Sequence, residues 1–151
     1  MAQVKMNKQE LKIWDDIGLD DLPRLASEIK EELKKPAIVF IEGKVGAGKT
    51  TFCQSFFKGD VLSPTYSLIN EFSDGAHADL YRLKDPEELV HLEIELYLEE
   101  KDYFFVEWGL QFYDVVDNVL PLEFSHHYLL ELDVSKIKEE NRRSFKLSFI
   151  C

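Results

Sequence analysis

Eight consecutive residues of this chain form a pattern with chemical content. Gly43-Lys44-Val45-Gly46-Ala47-Gly48-Lys49-Thr50 reads G-x-x-x-x-G-K-[ST], the P-loop pattern. Gly43, Gly46 and Gly48 admit backbone conformations closed to residues with a Cβ. Such a loop can turn its N–H groups inward around a phosphate, with the positive end of the following helix facing the same anion. Lys49 is then the mobile point charge for β- and γ-phosphates, and the Thr50 hydroxyl is the candidate ligand for Mg²⁺. Gly43 to Thr51 are the expected nucleotide-contacting residues.

Phosphoryl chemistry also needs an acid at the end of a neighbouring strand and a group that orients the nucleophile. Glu107 ends the apolar run Tyr103 to Val106, as an Asp does in a Walker B strand, and is the candidate second metal ligand; the ordinary alternative is a surface acid. Asp79 is a candidate catalytic acid, two residues from His77 and followed by Leu80-Tyr81-Arg82. Thr65 follows Ser63-Pro64 in a loop and can order that loop through a γ-phosphate–Mg²⁺ unit, the alternative being a plain turn. Arg82 can answer an acid within the fold or a phosphate, and the structural ion pair is the favoured reading. His91, His126 and His127 lack ligand spacing with each other and no Cys/His cluster is expected, so a zinc site is not expected. No G-x-S-x-G elbow is present.

The elements that must position these residues are legible around them. Ala37 to Ile41 is a short apolar run before the loop, expected as a buried parallel strand, and Thr51 to Phe57 is expected as the helix after it. Leu11 to Ile17 is expected as a first strand. Leu22, Leu25, Ala26, Ile29 and Leu33 fall on one face of a helix over Asp20 to Lys34, with Asp20 or Asp21 as cap, Pro23 in the first turn and Glu31–Lys35 as an i,i+4 pair. Tyr66 to Phe72 and Ala76 to Tyr81 read as a hairpin across Ser73-Asp74-Gly75. Asp85-Pro86-Glu87-Glu88 starts a helical stretch that runs in pieces towards Glu100. Gly109 to Val119 is a short helix stopped by Pro121. Ser125 to Val134 and Ser144 to Ile150 form a last strand pair, the second with one wet face, joined by a charged, exposed connector from Ser135 to Arg143.

The 151 residues suggest one domain, residues 1–151, with a sizeable core. The expected fold is α/β: a three-layer P-loop arrangement with a central, mostly parallel sheet, antiparallel hairpins, and helices on both faces. No apolar run is long enough for a membrane span, and the polar N-terminus lacks a signal-peptide core, so a cytoplasmic protein is expected. Two cysteines, Cys53 and Cys151, fit a reducing compartment. The net charge of −11 argues against tight sequence-independent binding to nucleic acid, which needs a basic surface.

Taken in order, GKVGAGKTTF, SPTYSLINEF, HADLYRLKDPEEL and FFVEWG resemble the TsaE (YjeE) family, the likeness covering Gly43 to Gly109. That resemblance implies a small, Mg²⁺-dependent ATPase of tRNA N6-threonylcarbamoyladenosine biosynthesis, weakly active alone. It implies that this ATPase acts with TsaB-like and TsaD-like partners, resets their complex between turnovers and meets tRNA mainly through them. It further implies ATP at the P-loop, Mg²⁺ at Thr50 and Glu107, switch-like roles for the Thr65 segment and for His77 to Arg82, Tyr81 included, Asp79 as essential for hydrolysis, and Trp108 beside the metal. Three positions depart from the family's habit: Lys44 stands where an acid is usual, the segment before Ser63 is short, and Gly109 replaces a proline. Two other readings compete. A small-molecule or nucleoside kinase needs an arginine-bearing lid, and only Arg142-Arg143 clusters. A nucleotide-gated binding module differs only in its negligible turnover.

Overall fold

The computed structural model describes residues 6–57, 68–134 and 142–151. All its strands belong to one seven-stranded sheet: β1 (Lys8–Ile17), β2 (Ala37–Glu42), β3 (Ile69–Glu71), β4 (Gly75–Asp79), β5 (Tyr103–Glu107), β6 (His126–Asp133) and β7 (Arg143–Ile150), in spatial order β1-β7-β6-β2-β5-β4-β3. The centre, β6-β2-β5-β4, is parallel, and β1, β7 and β3 add antiparallel at the two flanks. The helices are α1 (Leu22–Glu32), α2 (Lys49–Phe56), α3 (Glu87–His91), α4 (Ile94–Tyr97) and α5 (Tyr113–Val119).

The sheet is covered on both faces because β2 and β5 at its centre are buried and apolar up to their closing glutamates. Side chains of β2 alternate between two cores: Ala37, Val39 and Ile41 join α1 and α2, while Ile38 and Phe40 join α3, α4 and α5. The first core is dense in aromatic rings. Phe56 contacts Phe52, Phe57, Tyr103 and Phe105, with centroids 4.3 to 6.1 Å apart. Helix α1 turns the expected face inward: Leu22, Leu25, Ala26, Ile29 and Leu33 are all buried.

Several local expectations are corrected. The Asp21 side chain does not cap α1; its Oδ2 accepts the Gly18 N–H at 2.9 Å, which holds its carboxyl below the usual range and closes the turn before the helix. Lys35 lies 3.8 Å from Asp102, the residue before β5, instead of pairing with Glu31. The second hairpin strand ends at Asp79, so Tyr81 and Arg82 lie in the turn beyond it. Strand β7 has no simple wet face. It lies inside the sheet, with Phe145 and Leu147 in one core and Ser148 and Ile150 buried on the other side, leaving Lys146 to pair with Glu131 at 3.6 Å. Of the connector expected to be exposed, residues 135–141 lie outside the described part, but Arg142 and Arg143 are half-buried. The stretch from Asp85 does break into two short helices, and the Asp85 carboxylate accepts the Glu87 N–H at 3.0 Å.

Truncating Phe56 to alanine removes the ring at the centre of this aromatic cluster. The expected cost is about 3–5 kcal/mol of folding stability, read from denaturant unfolding curves.

Candidate functional site

The parallel strands set up the site by ending together. In the register of the sheet Ile41 of β2 stands beside Glu107 of β5, which stands beside Asp79 of β4. The loop after β2 and the last residues of β4 and β5 therefore meet at one edge, the carboxyl edge where open α/β sheets hold ligands. The loop itself is shaped by two left-handed glycines, Gly46 at φ +85° and Gly48 at φ +96°. Gly48 immediately precedes α2, so the loop's amides and the start of that helix face the same space.

That space is a cleft of about 500 Å³, which holds Val45 to Thr51 on one side and Asp79, Tyr81, Glu107 and Trp108 on the other. Lys49 is buried; its Nζ donates to Gly43 O at 2.5 Å and sits 3.9 Å from the centre of the Trp108 ring. Trp108 can reach it because its backbone is left-handed, φ +59°, a conformation that costs a non-glycine residue roughly 1 kcal/mol and turns the chain sharply after β5. The exposed Tyr81 packs against the same indole, 5.1 Å between centroids. The Thr50 hydroxyl lies 3.0 Å from Glu107 Oε2 and 3.2 Å from Oε1. Glu107 is 2 % exposed, and its Oε2 is 2.5 Å from His77 Nε2, itself 5 % exposed. Asp79 is exposed at the rim, where its Oδ1 accepts the Tyr81 N–H at 3.0 Å.

The residues singled out from sequence thus divide. Gly43 to Thr51, His77, Asp79, Tyr81, Glu107 and Trp108 converge. Lys44 and Gly43 also line a second hollow behind the loop, with Glu42, Glu131 and Asp133. Arg82 is exposed and forms no ion pair among the described residues, against the expectation that it would. Thr65 lies outside the described residues.

Three residues at the site escaped the sequence reading. Arg143 leaves β7 for the P-loop, where its Nη1 donates to Ala47 O at 2.5 Å, and its guanidinium lies where a Cβ on Gly48 would project. The adjacent arginines had been visible, but nothing along the chain said that one begins a strand. Its neighbour Arg142 bonds instead to Asp16. Cys53, one turn after the loop, is buried beside His77 and Glu107, which overturns the expectation that no Cys/His cluster exists. Burial pushes its thiol well up, and the nearby Glu107 and Asp79 carboxylates push the same way. Glu42 ends β2 below the loop; its Oε1 accepts the Leu110 N–H at 3.2 Å. Burial raises its carboxyl above the usual range, opposed by that hydrogen bond and by Lys49.

Backbone donors, an ammonium and a guanidinium gathered at one edge can hold a phosphate chain; a hydroxyl and a carboxylate beside them suit a hard cation. Comparisons with known proteins point to one family. A family model described as "Threonylcarbamoyl adenosine biosynthesis protein TsaE" matches residues 18–144. A "tRNA threonylcarbamoyladenosine biosynthesis protein TsaE" of Rickettsia conorii is 35 % identical over 149 residues, 87 % of this chain and 82 % of that one. A protein of the same name from Nostoc is 42 % identical over 78 residues, 46 % of this chain and 48 % of that one. The chain thus spans about half the length of the Nostoc relative, and little more of a like-named one from Haemophilus influenzae. The crystal structure of YdiB from Bacillus subtilis superposes with a TM-score of 0.54 over 100 % of this chain and 90 % of that one, at 22 % identity, and so shares the fold.

The raised Glu42 carboxyl makes a stability prediction. Its folded-state value lies above the ordinary 4.5, so the penalty of ionising it in the fold is complete above that folded value and fades as pH falls through it. Glu42→Gln is expected to raise stability at neutral pH, with the gain shrinking in acid, in urea unfolding measured across that window.

Proposed function

The chain belongs to the TsaE family, and on that premise we propose that it is a Mg²⁺-dependent ATPase serving tRNA N6-threonylcarbamoyladenosine biosynthesis. The observation that carries the reading is the convergence of Lys49, Thr50, Asp79 and Glu107 on one P-loop cleft. In this reading the loop amides and Lys49 hold the β- and γ-phosphates, Lys49 leaving Gly43 O for the anion. Thr50 and Glu107, both oxygen donors, would hold the Mg²⁺, which neutralises charge on the phosphates when bound. Asp79, fixed at the rim by its own turn, orients the attacking water. His77 holds Glu107 in place from behind. Trp108 and Tyr81 wall the cleft and limit water at the phosphates. In this reading the role is partner-dependent: hydrolysis resets a complex of TsaB-like and TsaD-like proteins, and tRNA is met through them. The acidic surface, −11 overall, fits a subunit that does not itself grip RNA. No helix among the described residues is long and apolar enough to cross a membrane, and we place the protein in the cytoplasm, as one domain.

The test is ATP hydrolysis with Mg²⁺ by the protein alone and with TsaB and TsaD from the same source. Partner-dependent turnover together with restored, repeated tRNA modification supports the reading; ATP binding that leaves the partners unaffected overturns the tRNA assignment. Three variants check the roles. Lys49→Ala should lose nucleotide binding or hydrolysis. Asp79→Asn should keep ATP binding and lose roughly 100-fold or more in hydrolysis. Glu107→Gln should shift the Mg²⁺ titration of nucleotide binding to higher metal concentration.

A further inference from the structure

ATP hydrolysis as proposed makes no use of the Cys53 thiol. Cys53 sits one turn after Thr50 on α2, fully buried. Its Sγ, a ring nitrogen of His77 and a carboxylate oxygen of Glu107 all lie within 4.8 Å of one another. The three come from α2, β4 and β5, so the cluster is made by the fold and not by neighbours in sequence.

A hard cation such as Mg²⁺ takes oxygen ligands and makes no use of a thiol. Thiolate, imidazole and carboxylate together are the donors of the zinc class. Zn–S near 2.3 Å and Zn–N or Zn–O near 2.0 Å place ligand atoms about 3.5 Å apart, within reach of small rotations of these side chains. The charges also balance: a thiolate and a carboxylate cancel a divalent ion and leave the imidazole neutral, which matters where each side chain is nearly excluded from water. Glu107 faces the cleft, so an ion has a way in, and the Thr50 hydroxyl, 3.0 Å from Glu107 Oε2, or a water can complete a fourth position.

We infer that Cys53, His77 and Glu107 form a binding site for a thiophilic divalent cation of the zinc class, and that such an ion competes with the hard cation of the nucleotide by taking Glu107. The binding half stands apart from ATP hydrolysis; the competition rests on the Mg²⁺ role proposed for Glu107.

Cobalt(II) is the probe. Cys53 and Cys151 are the only thiols, so the titration is made without nucleotide on the full chain carrying Cys151→Ser, where any thiolate ligand is Cys53. The expected result is one bound equivalent, with a near-ultraviolet sulfur-to-cobalt charge-transfer band and the intense visible bands of a four-coordinate ion, both bleached by Zn²⁺. Adding Cys53→Ser should remove the charge-transfer band and weaken Zn²⁺ binding at least about tenfold. No bound cobalt, or a weak six-coordinate spectrum without the sulfur band, overturns the site; this is read in the Cys151→Ser protein and does not depend on how the double variant folds. A sulfur band that excess Mg²⁺ and ATP displace supports the competition, and a band indifferent to them overturns it. Because the first spectrum needs no nucleotide, an absence of ATPase activity would leave the metal site standing and sink only the hydrolytic reading.

Discussion

A carboxylate with almost no access to solvent sits at the end of β5, and much of the molecule is arranged around it. Tyr103 to Val106 are all buried, so Glu107 is delivered to the sheet edge by a strand with no polar alternative. A charge so placed, left unpaired, costs several kcal/mol. Its partners come from two other elements: the Thr50 hydroxyl from α2 and the His77 ring from β4. Satisfying one carboxylate thus ties the loop helix, the hairpin and the central strand into a single unit, and Thr50 carries that tie into the lining of the cleft.

The two cores divide the labour on either side of that unit. The cluster under α1 and α2 is dense in aromatic rings, with Phe52, Phe56, Phe57 and Phe105 stacked, tilted or edge-on to one another. It fixes α2, and with it the start of the helix that faces the P-loop. The opposite core is covered by three short helices, α3 to α5, of four to seven residues. The ring-dense core is the one beneath the loop, and the shorter helices cover the other face.

What could be read from the chain was what repeats locally. The helix face of Leu22, Leu25, Ala26, Ile29 and Leu33, the apolar strands on both sides of the glycine loop, and the hairpin at Ser73-Asp74 all carry short-range patterns, and the fold follows them. Tertiary partners have no such signature. Lys35 had a well-spaced acid at Glu31, yet the end of α1 brings it to Asp102. The polar positions of β7 suggested water on one side, yet two neighbouring strands and a second core enclose Ser148. Arg143 and Cys53 each lie far in sequence from the groups they meet, Ala47 in one case, His77 and Glu107 in the other. The P-loop was legible because its chemistry is contiguous; its surroundings were not, because they are assembled by the sheet.

The pairing of β1 with β7 has a consequence in time. These are the first and last strands described, and their register runs from Lys8 beside Ile150 to Ile17 beside Arg143. During synthesis β1 leaves the ribosome with every other strand still to come, and the strand it pairs with is made after all of them. Its backbone donors and acceptors, and the apolar side of Trp14 and Ile17, wait through that interval without their partner. Contacts so distant along the chain form slowly, and an unpaired strand edge is open to other nascent chains meanwhile. The arginine that reaches the P-loop arrives on the same late strand, so the sheet and the P-loop cleft are completed together.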